Sequence, residues 1–332
     1  MKKIIYIPPS YKINKINRFN QFVCILFDLK TIFKNLIKTK KSNKSTSSFV
    51  EQSLRAKFQI LELPYFYAIF FSKILNNFYD GIFVNWKFTN FREDENLKKK
   101  LFDLCKKFEI KKVLVDTRDT SNKFDNEILD SFDLIIQREK FKKIQNSKIL
   151  STMLPCTLID YKEIKDPIDW GNIGKSKPNE KCIFDIFFSG KKTNEERNEL
   201  IKTIKSLNLN YSGGTEKKIF YEDYLEKIYN SAINVAPPGV GIFTFRHLEI
   251  FASCSFLMCP SKINEIELPI PFIDGEDFVS YKDLNDFSKK AIFYIKNPEI
   301  RNKIAMNGRK KLERYYSPSS HGKIIYDRLY KN

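Results

Sequence analysis

Arg246, His247 and Glu249 stand within four residues, directly after the run Pro237-Pro238-Gly239-Val240-Gly241. An arginine at the head of a helix suits a diphosphate. Its planar fork of N–H donors matches phosphate oxygens, and the helix end adds positive potential. A carboxylate three positions later lies on the same helical face and can accept hydrogen bonds from ribose hydroxyls. An Arg–Glu pair at this spacing also serves as a simple intrahelical ion pair. His247 faces either a cleft or the core, and the core is the better expectation. Gly239 and Gly241 let the backbone approach a ligand closely.

A second set of candidates lies in "FFSGKKTN". Gly190, Lys191 and Lys192 follow an apolar run and precede a helix start, so backbone N–H groups and lysine charge can meet at a phosphate. The spacing is neither that of a Walker A loop nor that of a G-x-G-x-x-G fingerprint, and a plain turn with solvated lysines has the same pattern. Gly213 sits in a similar position in "LNYSGG". In "VLVDTRDT", Asp116, Arg118 and Asp119 close another apolar run; a carboxylate there can take a proton from an attacking hydroxyl, or simply cap the turn.

The surrounding pattern alternates strand and helix. "KKIIYIP", "GIFVNW", "KVLVDT", "DSFDLIIQ" and "SKILSTML" read as strands, and "DENLKKKLFDLCKKF" as an amphipathic helix. Apolar residues from Phe19 to Ile37 fall at helical spacing, and "KTKKSNKSTSS" reads as a polar loop. The pattern lapses between Asp160 and Lys181, a stretch rich in Pro, Gly and charge. It resumes at "CIFDIFFSG". A helix follows with Thr193 expected as its cap and Glu196 completing a capping box. Later come the strands "SAINVAPP" and "SFLMCP", and a helix capped by Asn297 with Pro298 at its first position. Alternation of this kind implies an α/β protein with parallel, doubly wound sheets. Ligands then bind at the carboxyl ends of the strands, where every candidate above stands.

The formal net charge is +18. Residues 1–50 hold eleven Lys or Arg against one acid, Asp28, and residues 301–332 hold nine against Glu313 and Asp327, so the excess is concentrated at the two ends. Such ends favour phosphate-rich partners or an anionic membrane surface. Six scattered cysteines, no C-x-x-C pair and two histidines argue against a zinc site or a disulfide scaffold, and for reduced thiols in the cytoplasm. No apolar run is long enough to span a bilayer, and the apolar stretch of "MKKIIYIPPSYK" is too short for a signal peptide.

The ordered series from "DIFFSGKKTN" through "YLEKIYNS", "NVAPPGVGIFTFRHLE" and "DGEDFV" to "PEIRNKIAMNG" resembles the C-terminal half of GT-B glycosyltransferases, of the group-1 type that includes CgeB-like and exostosin-like proteins. The resemblance spans roughly Phe184–Tyr316. It implies two Rossmann-like domains across a cleft: residues 1–165 on the acceptor side, a linker over 166–181, a nucleotide-sugar domain over 182–316, and a final helix, 317–332, crossing back to the first domain. It implies a nucleotide-diphosphate sugar donor, with Glu249 at the ribose and Gly190, Lys191, Lys192, Gly213, Gly239, Gly241, Arg246 and His247 around it. Gly241 stands where many relatives carry a further Glu, so the donor sugar and the stereochemical outcome stay open. Asp119 or Asp116 is the candidate base, Arg246 the group that steadies the leaving diphosphate, and no cofactor or metal is expected. The expected acceptor is a glycan or a lipid-linked molecule at the inner face of a membrane. A nucleic-acid binder, a catalytically silent relative and a nucleotide-sugar epimerase are the competing readings; no nucleic-acid-binding signature supports the first.

Overall fold

A computed structural model describes residues 1–8, 49–86, 94–117, 124–154, 174–215 and 219–331. The helix expected over Arg18–Lys38, the polar loop to Ser48, Arg118, Asp119 and most of the interval between Asp160 and Lys181 lie outside these residues.

The first half runs β1 (Lys3–Ile7), α1 (Phe49–Lys57), β2 (Gln59–Glu62), α2 (Tyr65–Phe70), α3 (Ser72–Phe78), β3 (Gly81–Asn85), α4 (Asp94–Lys107), β4 (Lys111–Asp116), α5 (Asn126–Ser131), β5 (Leu134–Gln137), β6 (Lys140–Phe141) and β7 (Ile149–Ser151). Six of these strands form one parallel sheet in the order β2-β1-β3-β4-β5-β7. Its strands are continuous apolar runs because both faces are covered. Ile5, Ile7, Ile82, Val84 and Leu114 pack under α2–α4, while Ile4, Tyr6, Phe83, Val113 and Val115 face the other way.

The second half runs β8 (Phe184–Ser189), α6 (Glu195–Ser206), β9 (Tyr211–Gly214), α7 (Tyr221–Tyr229), β10 (Ser231–Val235), α8 (Phe245–Ala252), β11 (Leu257–Pro260), a short 3-10 turn (Ser261–Glu265), β12 (Ile266–Glu267), β13 (Val279–Tyr281), α9 (Leu284–Lys296), α10 (Pro298–Tyr315) and α11 (Pro318–Tyr330). The second sheet is also parallel, in the order β13-β11-β10-β8-β9. Its first two strands in sequence, β8 and β9, lie on one side and the later ones on the other. The strand order therefore reverses between β8 and β10, and the loops after these two strands part at that point.

The start of α6 differs from the expected capping box. Asn194, one residue beyond Thr193, is the cap: its side chain accepts from the Arg197 N–H at 3.2 Å, and its amide reaches the Pro238 carbonyl at 3.3 Å. The second contact is tertiary, which explains the one-residue shift. Asn297 does precede α10, but its amide donates back to the Phe293 carbonyl at 2.7 Å, and Pro298 at the first position supplies the helical φ.

Among the described residues, the contacts that join the halves include three sets. Lys140–Phe141 pairs antiparallel with Ile266–Glu267, and the Lys140 ammonium meets Glu267 at 2.8 Å. The α11 helix lies on α1, with Ile325 and Leu329 in the same apolar cluster as Ile4 and Leu54. A Cβ on Gly322 would stand 2.1 Å from the Ser53 carbonyl, so only glycine permits this helix approach. Arg138 and Glu139, after β5, supply the third contact.

Candidate active site

At the reversal point of the second sheet, Arg197 from α6 and Arg246 from α8 converge beside Gly190. Both guanidinium groups lie over the Phe188 ring, at 5.7 and 5.0 Å from its centroid. A Cβ on Gly190 would stand 2.8 Å from Arg246 Nη2 and 3.3 Å from Arg197 Nη1, so glycine makes room for both. Neither arginine forms an ion pair among the described residues, an unusual arrangement for two partly or wholly buried cations.

The two arginines do different work. Arg197 is buried, and its N–H groups bind the carbonyls of Lys191 at 2.6 Å and Pro238 at 2.9 Å. It thereby fastens the loop after β8 to the loop after β10. Burial, with the Arg246 charge adding to it, lowers the Arg197 pKa to about 10. Arg246 donates to the Ser189 carbonyl, and its Nε is buried without a partner. An unmet guanidinium donor under a glycine loop provides binding capacity for an anion. Lys191 and Lys192 are exposed at the rim.

Glu249 lies one turn along from Arg246, buried at 6% exposure. Among the described residues the alternative Arg246–Glu249 ion pair does not form. Instead Tyr221 and Tyr224, from α7, donate to Glu249 Oε1 and Oε2 at 3.1 and 2.9 Å. Burial raises the Tyr224 pKa well above its ordinary value; the Arg246 charge opposes this and the Glu249 charge supports it, so this hydroxyl stays a donor. Tyr221 is partly exposed and stacks on Tyr224 at 6.1 Å.

The other expected donor-site residues serve chiefly to shape these loops. Gly213, at φ 108°, approaches Phe188 so closely that a Cβ would stand 1.9 Å from its carbonyl oxygen. Gly239 lies against Arg197, and its N–H donates to the Gly241 carbonyl at 2.9 Å, closing the turn. His247 is buried at 1% exposure and caps α8: its Nδ1 accepts from the Thr244 N–H at 3.1 Å. Burial and the adjacent Arg246 charge bring the His247 pKa down to about 3, so the ring is neutral. The geometry gives His247 a capping task on α8. In "DGEDFV", Asp274 accepts from the Ser280 N–H at 2.7 Å and Asp277 from the Ile273 N–H at 2.7 Å; both carboxylates hold the turn.

Asp116 ends β4 at 1% exposure; burial lowers the Arg138 pKa, and the nearby Glu139 and Asp116 charges partly oppose that shift. A carboxylate enclosed beside an arginine does not have the open approach that a base for an acceptor hydroxyl needs. Arg138 donates to the Phe243 carbonyl at 2.8 Å, and Glu139 accepts from the Phe243 N–H at 3.0 Å. This buried clasp grips the residue immediately before the α8 cap, so the first sheet helps aim Arg246. A cavity of about 300 Å3 opens beside Phe243, lined mainly by apolar groups such as Phe251, Ile266, Ile270 and Phe272. It contains neither arginine, so the phosphate-binding groups lie outside it.

Residues 197–323 match a family described as glycosyl transferase-like. The matched stretch opens on Arg197 and contains Arg246, Glu249 and the tyrosines. This stretch is therefore similar to glycosyl transferase-like domains. Together with the first sheet it makes two Rossmann-like units, each built on a parallel sheet. Solved structures with a similar chain path include an alpha-glucosyltransferase in complex with UDP and DNA, at 13% identity and a TM-score of 0.49, covering 82% of this chain and 85% of that one. HepE from Anabaena in complex with UDP is 9% identical at a TM-score of 0.49, covering 83% and 87%. Sucrose-phosphate synthase from Thermosynechococcus elongatus is 11% identical at 0.48, covering 79% and 76%. No curated protein matches the chain at a significant level.

Arg197, Tyr221, Tyr224 and the Arg138–Glu139 clasp are the functional candidates that sequence reading passed over. Their sequence signal is weak, since each is an ordinary helical or loop residue until the loops are brought together. Among the described residues there is no cluster of His, Cys, Asp or Glu that could hold a metal, no disulfide, and no helix long and apolar enough to cross a membrane.

Proposed function

We propose that this glycosyltransferase moves a sugar from a nucleotide-diphosphate sugar to a glycan or lipid-linked acceptor held between the two units. The observation that carries the reading is the convergence of Arg197 and Arg246 on Gly190, at the reversal point of the second sheet, with no carboxylate among the described residues paired to either. Arg246 and the rim lysines Lys191 and Lys192 receive the diphosphate. Glu249 receives the ribose, exchanging the Tyr221 hydroxyl for a ribose hydroxyl. As the glycosyl bond breaks, negative charge grows on the β-phosphate, and a fixed guanidinium stabilises it more than the ground state.

In this reading residues 1–165 form the acceptor side, 166–181 the linker, 182–316 the donor domain and 317–332 the returning helix. Asp119 remains the candidate base, because Asp116 is enclosed. The protein works in the cytoplasm at the inner face of a membrane.

The test is calorimetric titration of the full chain with UDP, ADP, GDP and CDP. At least one should bind in the micromolar range or tighter, and Arg246→Ala should weaken it about tenfold or more, as expected for a lost charge-assisted contact. If no nucleoside diphosphate binds the folded protein, the donor assignment is wrong.

A further inference from the structure

The outer side of α2 and α3 carries Phe66, Phe70, Ile74 and Phe78, which are 68, 70, 56 and 66% exposed. The spacing is four residues throughout, so the side chains follow one face across the turn at Phe71. The Phe66 and Phe70 rings stack at 6.4 Å. On the inner side Ala68 and Leu75 are buried in the cluster that contains Ile5 and Ile82, so these helices are anchored without using the outer face. Large apolar groups exposed in a row mark interaction surfaces more often than ordinary protein exterior.

The charge around this face selects the partner. Leu63–Tyr79 contains one lysine, the exposed Lys73, and no Asp or Glu. The neighbouring α4 is held alongside by hydrogen bonds from Tyr65 to the Lys100 carbonyl and from Asn76 to the Lys107 carbonyl. Among the residues whose exposure is described, it adds the exposed Lys99, Lys106 and Lys107 against the exposed acid Asp103, with the exposed Glu109 just beyond it. Aromatic side chains rimmed by lysines match the acyl boundary and the anionic headgroups of a bilayer.

We propose that the Phe66–Phe78 face of α2 and α3 docks the protein on an anionic lipid surface. The α2 helix leaves the carboxyl end of β2, the side on which doubly wound sheets bind their ligands, so docking there holds the cleft beside the bilayer. The inference deepens the proposed function by giving the acceptor a membrane setting, and it rests on that reading only for this point.

The experiment is co-sedimentation of the full chain with phosphatidylcholine vesicles, with and without phosphatidylserine, in the absence of any donor. Binding should require phosphatidylserine and fall with salt. Phe66→Ser and Phe70→Ser should each lower vesicle affinity about tenfold while leaving the melting temperature unchanged. Lys106→Glu with Lys107→Glu should weaken binding without altering any aromatic. Three results would overturn the proposal: no association with phosphatidylserine vesicles at low salt; a concentration-dependent dimer in light scattering that Phe70→Ser abolishes, which assigns the face to a second copy; or a drop of several degrees in melting temperature, which assigns it to the chain's own packing. None of these bears on nucleotide binding, which the calorimetric titration reads separately.

Discussion

The Tyr224 hydroxyl donates to Glu249 at 2.9 Å, and no ion pair forms between that carboxylate and Arg246, its neighbour one turn back. The consequence is a division of labour on α8. Arg246 keeps its capacity for an anion, and Glu249 keeps a charge steadied by two phenols. Glu249→Ala should weaken nucleoside diphosphate binding by about 1.5–3 kcal/mol, the range for hydrogen bonds to a charged group. Tyr221→Phe should leave that affinity equal or tighter, because the ligand then displaces no phenol. Calorimetry on the two variants checks both. A Tyr221→Phe protein that binds as weakly as Glu249→Ala would show that Tyr221 supports the carboxylate and is not exchanged for ribose.

Arg197 and Arg246 should separate in kinetics and stability. Arg246→Ala should lower kcat more than it raises KM, since its guanidinium acts on charge that grows in the transition state. Arg197→Ala leaves the carbonyls of Lys191 and Pro238 without their donor and frees two loops. It should cost about 1–3 kcal/mol of stability. Denaturant titration and steady-state kinetics on each variant would expose the reverse pattern.

This contrast shows what could be read before the fold was known. Arg246 and Glu249 were visible because their spacing lies within one helix. That they turn to different partners was not visible, because Ser189 belongs to β8 and Tyr221 and Tyr224 to α7. Parallel strands with apolar runs announced the two doubly wound sheets. The α1, α2 and α3 helices were not recognised, because "FVEQSLRAK" is short and "YFYAIFFSKILNNF" is apolar on both faces, which hides a helical period. Asp116 appeared at the right strand end, but its enclosure depends on Arg138 across a turn.

Gly213→Ala should damage the site through the fold. The added methyl meets the Phe188 carbonyl at 1.9 Å, and φ of 108° is strained for any L side chain. The expected destabilisation is at least about 2 kcal/mol, from steric displacement added to backbone strain. Because Phe188 underlies both arginines, nucleotide affinity of the remaining folded protein should also fall. Thermal melts with and without a nucleoside diphosphate measure the two effects.

Stability should decline in mild acid through the two histidines. Burial holds His321 down to about 4 and His247 down to about 3, against an ordinary 6.5. Both are neutral in the fold, so below pH 6.5 the unfolded chain binds the extra protons and stability falls with pH. The loss begins near 6.5 and continues to the folded values of about 3 and 4. At pH 5 it should amount to about 2 kcal/mol for each histidine. His321 hydrogen-bonds Thr152 at 3.2 Å and packs at a tilt against the Phe49 ring. His321→Gln should therefore lower stability at neutral pH yet reduce the acid slope by about half. Denaturant midpoints at pH 5 and pH 7.5 decide it; an unchanged slope would mean that His321 does not titrate between the states.

Transfer should survive chelation. The positive charge assigned to the diphosphate comes from Arg246, Lys191 and Lys192, with the N-terminal ends of α6 and α8 adding their dipoles. Fixed guanidinium and ammonium groups can neutralise a leaving diphosphate without a dissociable cation. Initial rates with and without EDTA should agree within a factor of about two, a difference of less than 1 kcal/mol in barrier. Lys191→Ala with Lys192→Ala should slow transfer and make the remaining rate more sensitive to salt, because exposed charges are the ones that ions screen. Full loss of activity in EDTA, restored by manganese or magnesium, would transfer the charge-balancing role from these side chains to a metal.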